Sequence, residues 1–183
     1  MPRRGTSTRR RALPARDAFW NSAGAATRPI EPIGLEEIRA AAGRLASSGA
    51  IRTPLLRLNI EDTPAEIWLK LENLQPIGSF KLRGAGNAMS LAPRAKLARG
   101  VYTASAGNMA QGVAWNARRL GIPCTVIVPD HAPEAKLSAI ERLGGRVVKV
   151  PFDRWWQVII EHEYPGMEGL FIHPVSDPAV IAG

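Results

Sequence analysis

Apolar positions repeat along this chain at two intervals, and the alternation between them outlines a fold. Leu35, Ile38, Ala42 and Leu45 share one helical face, with Gly49 as a stop beyond them. Residues 67–72 alternate apolar and polar as a half-buried strand does, and the turn formers Asn73, Pro76 and Gly78 follow. A helix is expected to begin near Ser79. Residues 101–104 read as a short buried strand, and Val113, Ala114, Ala117 and Leu120 then recur at helical spacing up to Gly121. Next come a strand at 125–128, a helix opened by Pro133 and carrying Leu137, Ile140 and Leu143, and a stop at Gly144 and Gly145. A strand at 146–150, a helix near 153–163 and a short strand at 170–172 complete the series.

Strand and helix alternating in this way predict an α/β fold, a parallel sheet flanked by helices on both faces. Four short strands with three helices between them place a sheet domain over roughly 101–172. The first helix and the segment around Lys81 are expected to belong to a second, incomplete unit, leaving apolar faces without a partner.

Composition changes this picture in few places. The formal charge of +8 suggests a nucleic-acid binder, but residues 1–30 contain seven arginines against Asp17 and carry +6 of it. The basic signal therefore belongs to a tail. Residues 1–32 mix arginine, small residues and prolines with little apolar period, so a disordered tail is expected, with an organelle transit peptide as the alternative. Arginine outnumbers lysine 19 to 5 over the chain, so the bias alone can produce such a tail. The corresponding compartment is the cytoplasm, or an organelle if the tail is a targeting segment. No run of eighteen uninterrupted apolar residues exists, which speaks against a membrane span.

The single cysteine, Cys124, excludes an internal disulfide and a CxxC pair, and beside the apolar run at 125–128 it reads as a buried thiol. His131, His162 and His173 lack metal-ligand spacing. Trp155 and Trp156 are expected to be one core and one surface aromatic.

Two loops carry candidate chemistry. The first, ENLQPIGSFKLRGA over residues 72–85, sets Lys81 at the start of a helix just after a glycine-bearing turn. A cation there opposes the helix dipole, so stability alone does not account for it. A solvated first-turn lysine is the plain alternative to a reactive amine. The second loop, TASAGNMAQG over residues 103–112, joins a buried strand to a helix. Small residues there let a ligand approach unpaired helix N–H groups, so an anion such as a carboxylate could bind. A plain strand-to-helix turn is again the alternative.

Together with PEAKLSAIERLGGRVV further along, these two motifs resemble, in order and spacing, the threonine dehydratase and serine dehydratase family. These are pyridoxal-phosphate (PLP) enzymes of the tryptophan-synthase-β fold type, and the resemblance covers the stretch from about Ile33 to Gly183 as an N-terminal portion. It implies conversion of L-threonine or L-serine, a small hydroxy amino acid, to a 2-oxo acid and ammonia. It also implies that Lys81 bonds covalently to PLP and serves as the base at the substrate Cα, and that Phe80 packs near the cofactor ring. Asn108 corresponds to the residue that hydrogen-bonds the cofactor's 3-hydroxyl, and Ser105, Ala106, Gly107 and Asn108 to the loop that grips the substrate carboxylate.

Two positions depart from the family pattern. Met109 stands where the family usually has histidine, which is expected to disturb the loop's hydrogen bonding. Ala106 stands where related serine racemases carry a serine base, which favours elimination over racemisation. The resemblance further divides the chain into 33–99 as part of a PLP-binding large domain, 100–176 as a small α/β domain and 177–183 as the start of a return to the large domain. The family's glycine-rich phosphate loop has no counterpart in these 183 residues, where Gly84-Ala85-Gly86 is the only GxG. The alternative expectation is therefore a truncated, non-catalytic member. No metal, nucleic-acid or membrane partner is expected, and a homo-oligomer is possible.

Overall fold

Apolar strands short enough to lie between two helical layers form the centre of the molecule. The structure, a computed structural model, describes residues 31–183. The tail expected to be disordered or targeting, residues 1–32, falls almost wholly outside the described residues. In chain order the elements are helix α1 (Leu35–Leu45), strands β1 (Leu55–Arg57) and β2 (Trp68–Lys70), a 3-10 turn (Glu72–Leu74), and helices α2 (Lys81–Leu91) and α3 (Arg94–Leu97). There follow β3 (Val101–Ala104), α4 (Asn108–Leu120), β4 (Cys124–Pro129), α5 (Glu134–Arg142), β5 (Arg146–Val150), α6 (Phe152–Glu161), β6 (Leu170–Phe171) and α7 (Pro178–Ala182).

The main sheet is parallel throughout, in the order β5-β4-β3-β6. The chain steps outward from β3 to β4 to β5, then crosses back to β6 on the far side of β3. Because crossovers between parallel strands are right-handed, that reversal puts α6 on the opposite face from α4 and α5. The two cores follow the strand alternation. Val101, Val126 and Val128 pack with Val113, Leu137 and Ile140 of α4 and α5, whereas Tyr102, Ala104 and Ile127 pack with Val158 of α6. Trp155 joins this second core and Trp156 stays exposed, as expected of the pair. Cys124 is buried, which pushes its thiol up to about 12. Gly121, at φ 66°, supplies the left-handed residue that ends α4.

The N-terminal elements differ from the sequence expectation in three respects. First, the strand predicted at 67–72 is three residues long, exposed throughout, and pairs antiparallel with β1, which the pattern did not reveal. A two-stranded ribbon with no layer above it gives its residues no face to bury. Second, α1 buries Ala41 and Leu45, while Leu35 and Ile38 stay exposed. Third, α2 is not left without a partner. Leu82, Ala85 and Met89 are each at most 1% exposed, and Ala85 and Met89 belong to the same core as Val113 and Val126. Exposed apolar side chains are instead concentrated on α1 and the ribbon, among them Leu35, Leu55, Leu56 and Trp68. No helix of the described residues is long and apolar enough to cross a membrane.

Candidate functional site

The strand order changes direction between β3 and β6, and the loops leaving the carboxyl ends of these two strands diverge there, which is where open parallel sheets place their ligands. One of those loops is 105–107. The other is the segment 172–176, which the sequence reading did not single out.

Lys81 arrives from a different direction, at the head of α2, and a polar network fixes the turn before it. The Glu72 carboxylate accepts from Arg83 Nε at 2.8 Å and Arg83 Nη2 at 2.9 Å, from the Thr53 hydroxyl, and from Gln75 Nε2 at 3.1 Å. Gln75, itself buried, also accepts from the Ile51 N–H at 3.0 Å and donates to the Ile51 carbonyl at 2.8 Å. Both ends of the 72–83 turn are thus tied to residues 51–53, and Gly78 takes a left-handed φ of 68° between them. Arg83, two residues after Lys81 in the motif, is engaged by Glu72 and by the Ile51 carbonyl at 2.7 Å.

The Arg83 hydrogen bonds hold the Glu72 carboxyl down at about 2, well below the ordinary 4.5. A carboxyl whose folded value is depressed adds stability that is fully present above the unfolded value and is lost as pH falls through the folded one, here between about 4.5 and 2. Both side chains are less than a quarter exposed. Glu72→Gln is therefore expected to lower unfolding free energy by about 2 kcal/mol at pH 7, after discounting for solvent screening. Urea titrations should show the gap to wild type closing as pH drops toward 2. A gap that stays constant with pH would mean that the ion pair contributes nothing.

The Lys81 amine donates to the Pro174 carbonyl at 3.0 Å and lies 5.3 Å from the centre of the Phe80 ring. It opens on a cavity of about 260 Å³ whose other walls include Phe80, Gly84, Pro174, Val175 and Val180. Phe80, 56% exposed, forms the outer wall. A primary amine on an apolar wall beside a helix N-terminus is suited to reaction with a carbonyl compound.

The second motif loop is tied to the sheet by the Ser105 N–H, which donates to the Ile127 carbonyl at 3.1 Å, and is tightened by the Gly107 N–H, which donates to Ser105 Oγ at 3.2 Å. A Cβ at Gly107 would meet nothing within 4 Å, so the backbone there is open to a ligand. Asn108 is exposed and starts α4. Met109 lies in the core at 2% exposure, so its side chain serves packing and the loop is held by Ser105 and backbone groups. Ser105, Ala106, Gly107 and Asn108 do not line the cavity at Lys81.

What joins the two motifs is the crossing of α2 and α4, which the sequence reading also missed. A Cβ on Gly112 would lie 2.9 Å from the Lys81 carbonyl oxygen, so only glycine lets α4 rest on the first turn of α2. Asn116, buried in the same contact, donates to the Leu82 carbonyl at 2.9 Å and to the Gly112 carbonyl at 2.8 Å. On its other side α2 meets α7, where Gly84 faces the Val180 carbonyl and Asn87 Nδ2 donates to the Ala179 carbonyl at 2.7 Å. A glycine inside a helical run was the only local signal of these contacts.

Residues 33–183 match the family described as pyridoxal-phosphate dependent enzyme. The chain is 42% identical over 156 residues to the L-threonine ammonia-lyase of Thermotoga maritima, covering 82% of this chain and 38% of that protein. It is 48% identical over 120 residues to the L-threonine ammonia-lyase of Geobacter sulfurreducens, covering 64% of this chain and 29% of that protein. The chain thus spans between a quarter and two-fifths of the length of these relatives. The solved serine racemase of Dictyostelium discoideum superposes with a TM-score of 0.69 at 34% identity, over 82% of this chain and 50% of that one.

Proposed function

This chain belongs to the pyridoxal-phosphate dependent enzyme family, and from that premise we propose that the protein is a dehydratase converting L-threonine or L-serine to a 2-oxo acid and ammonia. The observation that carries this reading is the Lys81 amine, held by the Pro174 carbonyl at the mouth of an apolar cavity beside the sheet's switch point. The residues at the cavity fit the cofactor's reactive end, with a primary amine at Lys81 and an aromatic wall at Phe80, while the open backbone at Gly107 lies outside that cavity. Lys81 would hold the group through its amine, with Phe80 against the ring and Asn108 at the 3-hydroxyl. When bound, PLP supplies an electron sink for the pair released at the substrate Cα.

The chain's own residues do the rest. Ser105, Gly107 and the first N–H groups of α4 bind and orient the substrate carboxylate. Phe80 excludes water from one side, and the Lys81 amine, set free when the substrate's own amine takes its place, takes the proton from Cα. The β-hydroxyl then leaves as water, its C–O bond pair going with it and its proton coming from the ammonium formed on Lys81, while the pair at Cα becomes the Cα–Cβ double bond; hydrolysis of the resulting enamine by a second water gives the 2-oxo acid and ammonia. Ala106 carries no group able to return a proton to Cα, which favours elimination over racemisation. The names of the two ammonia-lyase relatives support the dehydratase reading over a non-catalytic remnant. In the same reading residues 100–176, which contain the whole parallel sheet, are the small domain, and residues 33–99 with 177–183 belong to the large one.

The test is release of ammonia and 2-oxo acid from L-threonine and L-serine by the full-length protein supplied with PLP. Accumulation of D-serine from L-serine without 2-oxo acid would replace the dehydratase by a racemase, and no reaction with either amino acid would overturn both.

A further inference from the structure

His173 lies in the segment that leaves β6, is 4% exposed, and takes no part in the reaction proposed above. Its Nε2 lies 3.1 Å from the Ile159 carbonyl in α6 and can only donate to it, which leaves the lone pair on Nδ1. Onto that nitrogen converge the Ser176 N–H at 2.8 Å, the Val175 N–H at 3.2 Å and the Ser176 hydroxyl at 2.8 Å. A neutral imidazole with its proton on Nε2 offers these donors a lone pair shared chiefly by the Val175 and Ser176 N–H groups, and a protonated one offers those two N–H groups none, the Ser176 hydroxyl being able to donate or accept.

The Val175 N–H belongs to the same peptide unit as the Pro174 carbonyl. The described residues contain no cis peptide bond, so this unit's N–H and C=O point in opposite directions. One end donates to His173 Nδ1 and the other accepts from Lys81 Nζ at 3.0 Å. The imidazole therefore sets the direction of the carbonyl that holds the amine, and polarisation along the chain strengthens both bonds.

We propose that neutral His173 is a positioning residue for Lys81, aiming the Pro174 carbonyl at the amine through the 174–175 peptide. This inference rests on the PLP reading for its consequence but not for its geometry. The groups facing the ring are His162 at the end of α6, tilted against it with 4.1 Å between ring centres, Asp177 at the head of α7, and the Phe171 edge from β6. Burial, with a smaller contribution from His162, pushes the His173 imidazole below its ordinary 6.5 against the opposing pull of the Ile159 carbonyl and Asp177, which keeps it neutral near pH 7. Acid then disconnects the relay. As pH falls through this imidazole's lowered range, a growing fraction of the protein carries a proton where Val175 and Ser176 need an acceptor.

The experiment uses the full-length protein and two variants, His173→Asn, which keeps an acceptor near the Nδ1 position, and His173→Phe, which keeps ring volume without one. Three quantities are read for each. These are amide hydrogen exchange at Val175 and Ser176, the rate of reductive methylation of Lys81 by formaldehyde, and the rate at which PLP is trapped on Lys81 by borohydride. His173→Phe is expected to speed exchange at both amides and to change Lys81 methylation and PLP trapping by roughly tenfold, the value of one or two lost hydrogen bonds. His173→Asn should return all three to within about threefold of wild type, and should remove the fall in trapping expected of wild type as acid protonates His173.

Equal Lys81 rates in wild type and His173→Phe, or equal losses in the two variants, would overturn the proposal. Should His173→Phe fail to fold, the wild-type pH profile set against that of His173→Asn decides the matter alone, and identical profiles would overturn it. Failure of PLP to label Lys81 in wild type would remove the cofactor reading, while methylation and exchange, which need no PLP, still decide the role of His173.

Discussion

Lys81→Ala in the full-length protein is expected to abolish covalent incorporation of PLP and to lower turnover of threonine or serine at least about 10³-fold, while changing unfolding free energy by less than about 1 kcal/mol. The side chain is only partly buried and makes a single hydrogen bond, to the Pro174 carbonyl, so little of the fold depends on it. Lys81→Arg should fail equally, because a guanidinium cannot lose its proton to become a nucleophile. The other four lysines are poor substitutes. Lys70 donates to the Thr53 carbonyl, Lys149 pairs with Glu134, and Lys96 and Lys136 are exposed on helices away from the cavity. Borohydride reduction in the presence of PLP, followed by peptide mapping, should therefore label one peptide in wild type and none in the variant. Label spread evenly over all five lysines would show that no preformed site exists.

Gly112→Ala is expected to be destabilising although it puts a better helix former into a helix. The added methyl would sit 2.9 Å from the Lys81 carbonyl oxygen and 3.0 Å from its carbonyl carbon, both backbone atoms that cannot turn aside. Overpacking of this kind costs about 1–3 kcal/mol, against a helix-propensity gain of about 1. Gly43, on exposed α1 with nothing within 4 Å of an added Cβ, isolates that gain. Gly43→Ala should raise the thermal midpoint slightly, whereas Gly112→Ala should lower it by several degrees. The same methyl pushes the first turn of α2 away from α4, and a displacement near 1 Å at a reacting group costs on the order of 10²-fold. Slower PLP trapping at Lys81 should thus accompany the lower midpoint. A variant as stable as wild type and labelled as fast would show that the helix crossing does not set the position of Lys81.

How much of this was legible beforehand depended on the range of the interaction concerned. Strands β3 to β6 and the helices between them could be read from their own residues, because an apolar run such as 125–128 and a helical stripe such as Val113, Ala114 and Ala117 record burial locally, although Leu120, placed on the same stripe, is exposed. The ribbon of β1 and β2 could not, since Leu55–Arg57 is too short to show a period and neither strand is covered. Lys81 and the 105–108 loop stood out through their motif and the glycines and helix start around them. The groups that hold Lys81 did not. Glu72 reaches Arg83 across 11 residues, Asn116 reaches Leu82 across 34, and Pro174 reaches Lys81 across 93. A periodicity window sees none of these pairs, and a buried histidine such as His173 looks in sequence like any other.

The placement of β6 also dictates an order of assembly. It meets the rest of the sheet through two residue pairs, Val101 with Leu170 and Tyr102 with Phe171, and these bring the Pro174 carbonyl to an amine made 93 residues earlier. During synthesis, β3, β4 and β5 can pair as they emerge, because each contact spans only one helix. The amine has no carbonyl to hold it until the sheet has accepted its last strand, so a nascent chain arrested before residue 170 has the sheet's centre but not a poised lysine. Chains arrested at successive lengths and treated with formaldehyde would register that step as a change in Lys81 reactivity confined to lengths at which residues 170–176 have cleared the ribosome.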